Sequence, residues 1–149
     1  MRDLIVQTIM VADSSLDTRT VLKRWLELKG FHVVEATNGR QAVELTSRKC
    51  PDLILMSMRM PVLSGLDAAY RIRERSNASS VPIVAISTYP TREAQDSAFA
   101  AGCKSFIVHP IDFDGLGSIL HSLLPEAVDS LPATPPYSRT EAAFSVVAT

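Results

Sequence analysis

Asp13, Ser57, Ser87 and His109 are the residues of this chain whose types and positions could do chemistry. Each directly follows a short apolar run, at 9–12, 53–56, 82–86 and 105–108. A carboxylate, two hydroxyls and an imidazole brought to one point suggest a serine hydrolase, in which the imidazole takes the hydroxyl proton. The local sequence speaks against it. Ser57 lies in Met56-Ser57-Met58, without the Gly-x-Ser-x-Gly turn that exposes a nucleophile, and no oxyanion hole is evident. An aspartyl-nucleophile phosphatase needs a second aspartate two residues after the first, where this chain has Asp13-Ser14-Ser15. A hydrolase using Ser57, His109 and Asp13 stays a remote alternative, and the chain is expected not to be an enzyme. Serine-kinase modification of Ser57 is disfavoured too, because a partly enclosed hydroxyl is a poor substrate.

The elements that must position these residues follow from the apolar pattern. Runs at 9–12, 31–34, 53–56, 82–86 and 105–108 have strand length and are near-continuously apolar, as strands buried on both faces are. The intervening segments have helical character. In 15–29, Val21, Trp25 and Leu28 fall at i, i+4 and i+7 with Leu22 and Leu26 beside them, and Gly30 ends the run. Asn38 caps 39–49 and Pro51 stops it; Leu66, Ala69 and Ile72 share a face of 65–75. The segment 91–101 ends at Gly102, and 112–124 opens on Asp112 with Leu116, Leu120 and Leu123 inward. Five strand–helix repeats imply parallel strands joined by right-handed crossovers, a three-layer α/β sandwich. In such sheets ligands gather beyond the carboxyl ends of the strands, where the four chemical residues stand.

Composition bounds the rest. Of the 149 residues, 15 are basic and 16 acidic, which excludes a chain held mainly by nucleic-acid phosphates or anionic lipid. The 46% hydrophobic and 21% charged content is that of an ordinary globule. Cys50 and Cys103 have no spacing that suggests zinc or redox chemistry and are expected as reduced thiols. No leader peptide or membrane-spanning run is evident, so a cytoplasmic protein is expected. From Pro125 the pattern changes: four of the nine prolines lie in 125–149, which is expected to be a tail or linker after a domain at 1–124. Its closing Ala142-Ala143-Phe144-Ser145-Val146-Val147 is apolar enough to dock.

Several local sequences together resemble the receiver domain of two-component response regulators. Asn38-Gly39-Arg40-Gln41-Ala42 resembles the entry to the second helix, and Pro51-Asp52-Leu53-Ile54-Leu55 with Met60-Pro61 and Ser64-Gly65-Leu66 resembles the third strand and its loop. Pro82-Ile83-Val84-Ala85-Ile86-Ser87 resembles the fourth strand; Ala101-Gly102-Cys103 and Phe106-Ile107-Val108-His109-Pro110 resemble the fifth. The resemblance spans roughly residues 8–124. It implies a flavodoxin-like doubly wound fold, five parallel strands in the order 2-1-3-4-5 with five helices. It also implies a cis bond between His109 and Pro110. Flavin binding, found on another fold of this strand order, is disfavoured because Asp13-Ser14-Ser15-Leu16-Asp17 has no glycine.

Family chemistry is phosphoryl transfer to an aspartate, with magnesium neutralising the transferring oxygens. The resemblance places an acidic pair after the first strand, the acceptor after the third, a hydroxyl after the fourth and a lysine after the fifth. This chain has Asp13-Ser14, Ser57, Ser87 and His109 at those places. A serine hydroxyl has no anionic form near neutral pH, and a neutral imidazole is a poorer phosphate partner than an ammonium. Asp13, Ser14, Ser57, Ser87 and His109 are thus expected to form a degenerate phosphorylation pocket with no metal and no cofactor, magnesium binding being weak or absent. Arg59 is a candidate substitute for the metal, its guanidinium pairing with Asp13.

The resemblance also implies signalling through the fourth helix, fifth strand and fifth helix. Phe106 falls at the position of the family's mobile aromatic, and Gln95 and Phe99 lie one turn apart on the fourth helix. Phe99 either stands beside Phe106 outside or packs inward. The expected function is an atypical pseudo-receiver acting by phosphorylation-independent protein–protein contact. The alternative is a working phosphorelay receiver with weak or non-standard phosphorylation. Expected partners are proteins, a histidine kinase or an output protein, with no nucleic acid or membrane, and the chain a monomer or weak dimer.

Overall fold

A computed structural model describes residues 6–75 and 80–124. The expected tail at 125–149 lies outside the described residues. Five strands, β1 (Thr8–Ala12), β2 (His32–Ala36), β3 (Leu53–Ser57), β4 (Ile83–Ser87) and β5 (Ser105–Val108), alternate with five helices. The helices are α1 (Leu16–Leu28), α2 (Gly39–Lys49), α3 (Gly65–Glu74), α4 (Arg92–Ala100) and α5 (Phe113–Leu123). The strands are parallel in the order β2-β1-β3-β4-β5. The alternation therefore produces the doubly wound sandwich, because each helix returns the chain to the same sheet edge direction.

Alternate strand residues serve opposite layers. Ile9, Val11, Leu53, Leu55, Val84, Ile86 and Ile107 meet Leu22 and Leu26 of α1 and Leu116, Ile119 and Leu120 of α5. Met10, Ala12, Ile54, Met56, Ile83, Ala85 and Phe106 meet α2, α3 and α4, where small residues (Ala42, Ala68, Ala69, Ala98) let the helices approach closely. Side-chain caps close each helix start: Ser15, Asn38, Ser64, Thr91 and Asp112 accept from backbone N–H groups of the first turn. Each such cap satisfies a donor that would otherwise lack a partner.

The fold corrects one face. Val21 and Leu28 of the i, i+4, i+7 set are exposed, while Leu22 and Leu26 are fully buried. Both stripes have helical spacing and apolar residues, and the sheet selects the one that aims at Ile9 and Val11.

β1 and β3 are the switch point, since β2 continues on one side of β1 and β4 and β5 on the other side of β3. The register aligns Ala12 with Met56, so Asp13 and Ser57 emerge side by side. Ser57 aligns with Ile86, and Ser87 with Val108, which brings Ser87 and His109 to the same rim.

Candidate functional site

A cleft of about 400 Å³ opens at this rim, lined by Asp13, Ser15, Thr18, Ser57, Arg59, Ile86, Ser87, Thr88 and His109. Asp13, Ser57, Ser87 and His109 therefore converge. Ser14 does not line the cleft; it is exposed, and Ser15 and Thr18 of the α1 entry take its place. The reason is the cap: once Ser15 caps α1, the backbone turns Ser14 outward and Ser15 across the rim.

Asp13 is buried and held on three sides. Its N–H donates to the Ala36 carbonyl at 3.0 Å, and its Oδ1 accepts from the Ser15 N–H at 2.8 Å. Its own carbonyl accepts from the Arg19 guanidinium at 2.8 Å, and Arg19 is pinned to Glu35 of β2 at 3.1 Å. Arg19 and Glu35 went unnoticed in the sequence, because neither has a motif and their pairing requires β2 to lie beside α1. A basic residue on the α1 face toward an acid of β2 was the available signal.

The hydroxyls are already engaged. Ser57 Oγ donates to the Arg59 carbonyl at 3.2 Å. Ser87 Oγ accepts from the Tyr89 N–H at 3.0 Å and donates to the Tyr89 carbonyl at 3.3 Å. His109 is half-buried, its N–H donating to the Ser87 carbonyl at 2.9 Å, and the His109–Pro110 bond is cis.

Arg59 does not pair with Asp13. Its guanidinium lies over the ring of Tyr89, 4.9 Å from the centroid, and no Arg59–carboxylate ion pair occurs among the described residues. A half-exposed aromatic offers the cation attraction without removing it from water, whereas Asp13 already has its N–H partner. Tyr89, in the β4–α4 loop, was missed in the sequence; its ring is what Arg59 rests on.

Two glycines seat the β3–α3 loop that carries Arg59. Gly65 N–H donates to the Met58 carbonyl at 3.1 Å and Gly39 N–H to the Leu63 carbonyl at 2.9 Å. A Cβ at Gly65 would collide with the Ser57 carbonyl, and one at Gly39 with the Leu63 carbonyl. Between these anchors Val62 has φ 72°, and the Leu63 N–H bonds to the Pro61 carbonyl at 2.7 Å: a γ-turn of the rare positive-φ kind. Met58 and Met60 pack against the core and do not line the cleft.

On α4 and β5 neither alternative for Phe99 holds whole: it is outside, but Phe106 is not beside it there. Phe106 is 3% exposed and belongs to the core beneath α4, and Gln95 is 9% exposed. Phe99 is 47% exposed. Alternation on β5 puts Phe106 inside, and on α4 Gln95 and Ala98 take the inward positions, so Phe99 faces solvent alone.

The family model of the response regulator receiver domain matches residues 9–121. The chain belongs to this family. It is 31% identical over 113 residues to the transcriptional regulatory protein PdtaR of Mycobacterium tuberculosis, covering 75% of this chain and 54% of that protein. It is 22% identical over 121 residues to the polar-differentiation response regulator DivK of Brucella anthropi, covering 81% of this chain and 98% of that protein. The chain thus spans about half of one relative and nearly all of the other. Among solved structures, the receiver domain of the sensor histidine kinase PA1611 from Pseudomonas aeruginosa, with magnesium coordinated in its active-site cleft, aligns with TM-score 0.76. That alignment has 29% identity and covers 81% of this chain and 99% of that one.

Receiver chemistry runs through magnesium, an ion that takes hard oxygen ligands. Magnesium demands near-octahedral oxygen ligands and is commonly held by carboxylates. Asp13 is the one carboxylate of the cleft lining, and the Arg59 carbonyl already accepts from Ser57. No cluster of three or more His, Cys, Asp or Glu side chains suited to a metal occurs among the described residues. No helix among them is long and apolar enough to cross a membrane.

Proposed function

We propose that this receiver domain signals by protein–protein contact without being phosphorylated. The observation that carries the reading is Ser57 at the carboxyl end of β3, its hydroxyl turned onto the Arg59 carbonyl. An acceptor in this place needs an anionic oxygen free to attack in line; a hydroxyl engaged as a donor, with no carboxylate cluster to gather magnesium among the described residues, supplies neither. His109 can donate one hydrogen bond when neutral, where an ammonium would bring full charge.

Receiver domains interact with histidine kinases, phosphotransfer proteins and output proteins, and related solved structures include such complexes. In this chain the contact would be made in a constitutive state. Phe99 on α4 supplies an exposed aromatic anchor, and Phe106 is kept inward beneath it. The partner is a protein, and the domain is not an enzyme.

The test is a nuclear magnetic resonance titration of the intact protein with magnesium and beryllofluoride. No specific shift around Ser57, Ser87 or Phe106 is expected. A saturable shift at those residues would overturn the reading and assign a working phosphorelay receiver. Phe99→Ala should then weaken capture of the cognate protein at least tenfold, the scale of a buried aromatic anchor, with thermal stability unchanged.

A further inference from the structure

The polar groups of the cleft are satisfied unequally. The Ser57 and Ser87 hydroxyls are taken up by the loop carbonyls of Arg59 and Tyr89. The Asp13 carboxylate is not: Oδ1 accepts from the Ser15 N–H, while Oδ2 has no partner among the described residues, although Asp13 is only 6% exposed. A buried carboxylate with an open oxygen is costly unless a cation completes it. Across the cleft the imbalance is reversed. The Arg59 guanidinium has its face on the Tyr89 ring, and its N–H edge meets no acceptor among the described residues. The Thr88 hydroxyl and the His109 ring nitrogens, which line the same corner, are unpartnered there too. One side of the cleft lacks a positive donor and the other a negative acceptor.

We propose that this cleft binds a small zwitterion of the amino-acid class, its ammonium at Asp13 and its carboxylate at Arg59, Thr88 and His109. This rests on the phosphorylation-independent reading of the same cleft and gives that reading a regulator. An ammonium suits Asp13 better than magnesium does, because it donates in several directions and needs only one carboxylate, with the Thr18 hydroxyl as a further acceptor. A carboxylate suits the far corner, where a guanidinium pinned on an aromatic face keeps its fork of N–H donors free. The rim sets the separation. Arg59 rests on the loop after β4, and β1 and β4 are two strand spacings apart, about 10 Å. Taking ~3 Å for each charged hydrogen bond leaves roughly 4 Å between the charges of the ligand, the span of an α- or β-amino acid. Ile86 is the one apolar residue of the lining, so a bulky apolar substituent finds no matching wall. Bound, the ligand ties the β4–α4 loop to the entry of α1, next to the α4 face that carries Phe99.

The test is a nuclear magnetic resonance titration of the intact protein with β-alanine at constant pH and ionic strength. Saturable shifts of the Thr18, Thr88 and His109 amides are expected in the millimolar range, the strength open to a ligand of so few atoms. Propylamine and propionate, each carrying one of the two charges, should bind at least tenfold more weakly, and so should ε-aminocaproate, whose charges lie farther apart. Asp13→Asn, which retains the acceptor for the Ser15 N–H, and Arg59→Gln, at an exposed position, should each weaken β-alanine at least tenfold, the scale of one charged hydrogen bond. No saturable shift with β-alanine or glycine would overturn the proposal, as would equal binding of propylamine or propionate, or undiminished binding by either variant. Magnesium with beryllofluoride, added to a separate sample, tests the underlying reading by itself. A saturable shift there overturns both, whereas its absence together with no β-alanine shift overturns this proposal alone.

Discussion

Returning carboxylates to the ends of β1 and β3, with Ser14→Asp and Ser57→Asp, should make the stability of this domain depend on magnesium. Two losses set the metal-free cost. The hydrogen bond from Ser57 to the Arg59 carbonyl, 3.2 Å long, disappears, at about 1 kcal/mol. The introduced carboxylate at position 57 also enters a cleft that already holds Asp13. Like charges about 6 Å apart repel by roughly 3 kcal/mol at an effective dielectric of ~20, and less where the open cleft admits water. A net cost of about 3 kcal/mol lowers the melting temperature by roughly 10 °C in a domain of this size. Magnesium that binds the folded variant at about 100 times its dissociation constant returns ~2.7 kcal/mol, nearly the whole loss. Thermal unfolding followed by far-ultraviolet circular dichroism, with and without millimolar magnesium at constant ionic strength, reads both effects. The original chain, with Asp13 as the one cleft carboxylate, should shift by no more than about 1 °C on the same scale. A shift of several degrees in the original chain, or none in the double variant, would refute the reasoning from donor chemistry.

Three further outcomes are expected. Burial pushes the Cys103 thiol up to about 12 from an ordinary 9.0, partly offset by the Arg73 guanidinium beside it. The unfolded thiol ionises first as pH rises, so this contribution is complete below about pH 9 and is lost toward pH 12, on the order of 3–4 kcal/mol in all. Alkaline denaturation should begin later in Cys103→Ala than in the original chain, relative to their stabilities at pH 7. Gly65→Ala should cost about 3 kcal/mol or more, because the Ser57 carbonyl is backbone and cannot step aside; urea unfolding measures it. Val62→Gly should instead stabilise by about 1 kcal/mol, relieving a β-branched residue at φ 72°; an unchanged or lower urea midpoint would show that the turn is unstrained.

The order of strands and helices was legible in the sequence because it rests on local features. Apolar runs of strand length, caps such as Asn38 and Asp112, and stops such as Gly30 and Gly102 act within a few residues of themselves. Alternation then leaves few topologies, and the residues after β1, β3, β4 and β5 had to meet at one rim. That Asp13, Ser57, Ser87 and His109 share one cleft was therefore legible without coordinates.

What the sequence by itself determined, then, was the fold class, the place of the cleft and the residue types at its strand ends. Only the tertiary structure decided which way individual side chains turn. Leu22 and Leu26, and not Val21 and Leu28, are buried on α1, because two apolar stripes of equal periodicity differ only in what faces them. Arg59 goes to Tyr89 and not to Asp13, although the two candidate partners lie on different loops far apart in the chain. Phe106 faces the core and Phe99 the solvent, because the pleat of β5 and the turn of α4 are set independently and meet only on packing. These orientations depend on pairs that no local window contains, and the energy difference between them exists only once the sheet has brought the partners together.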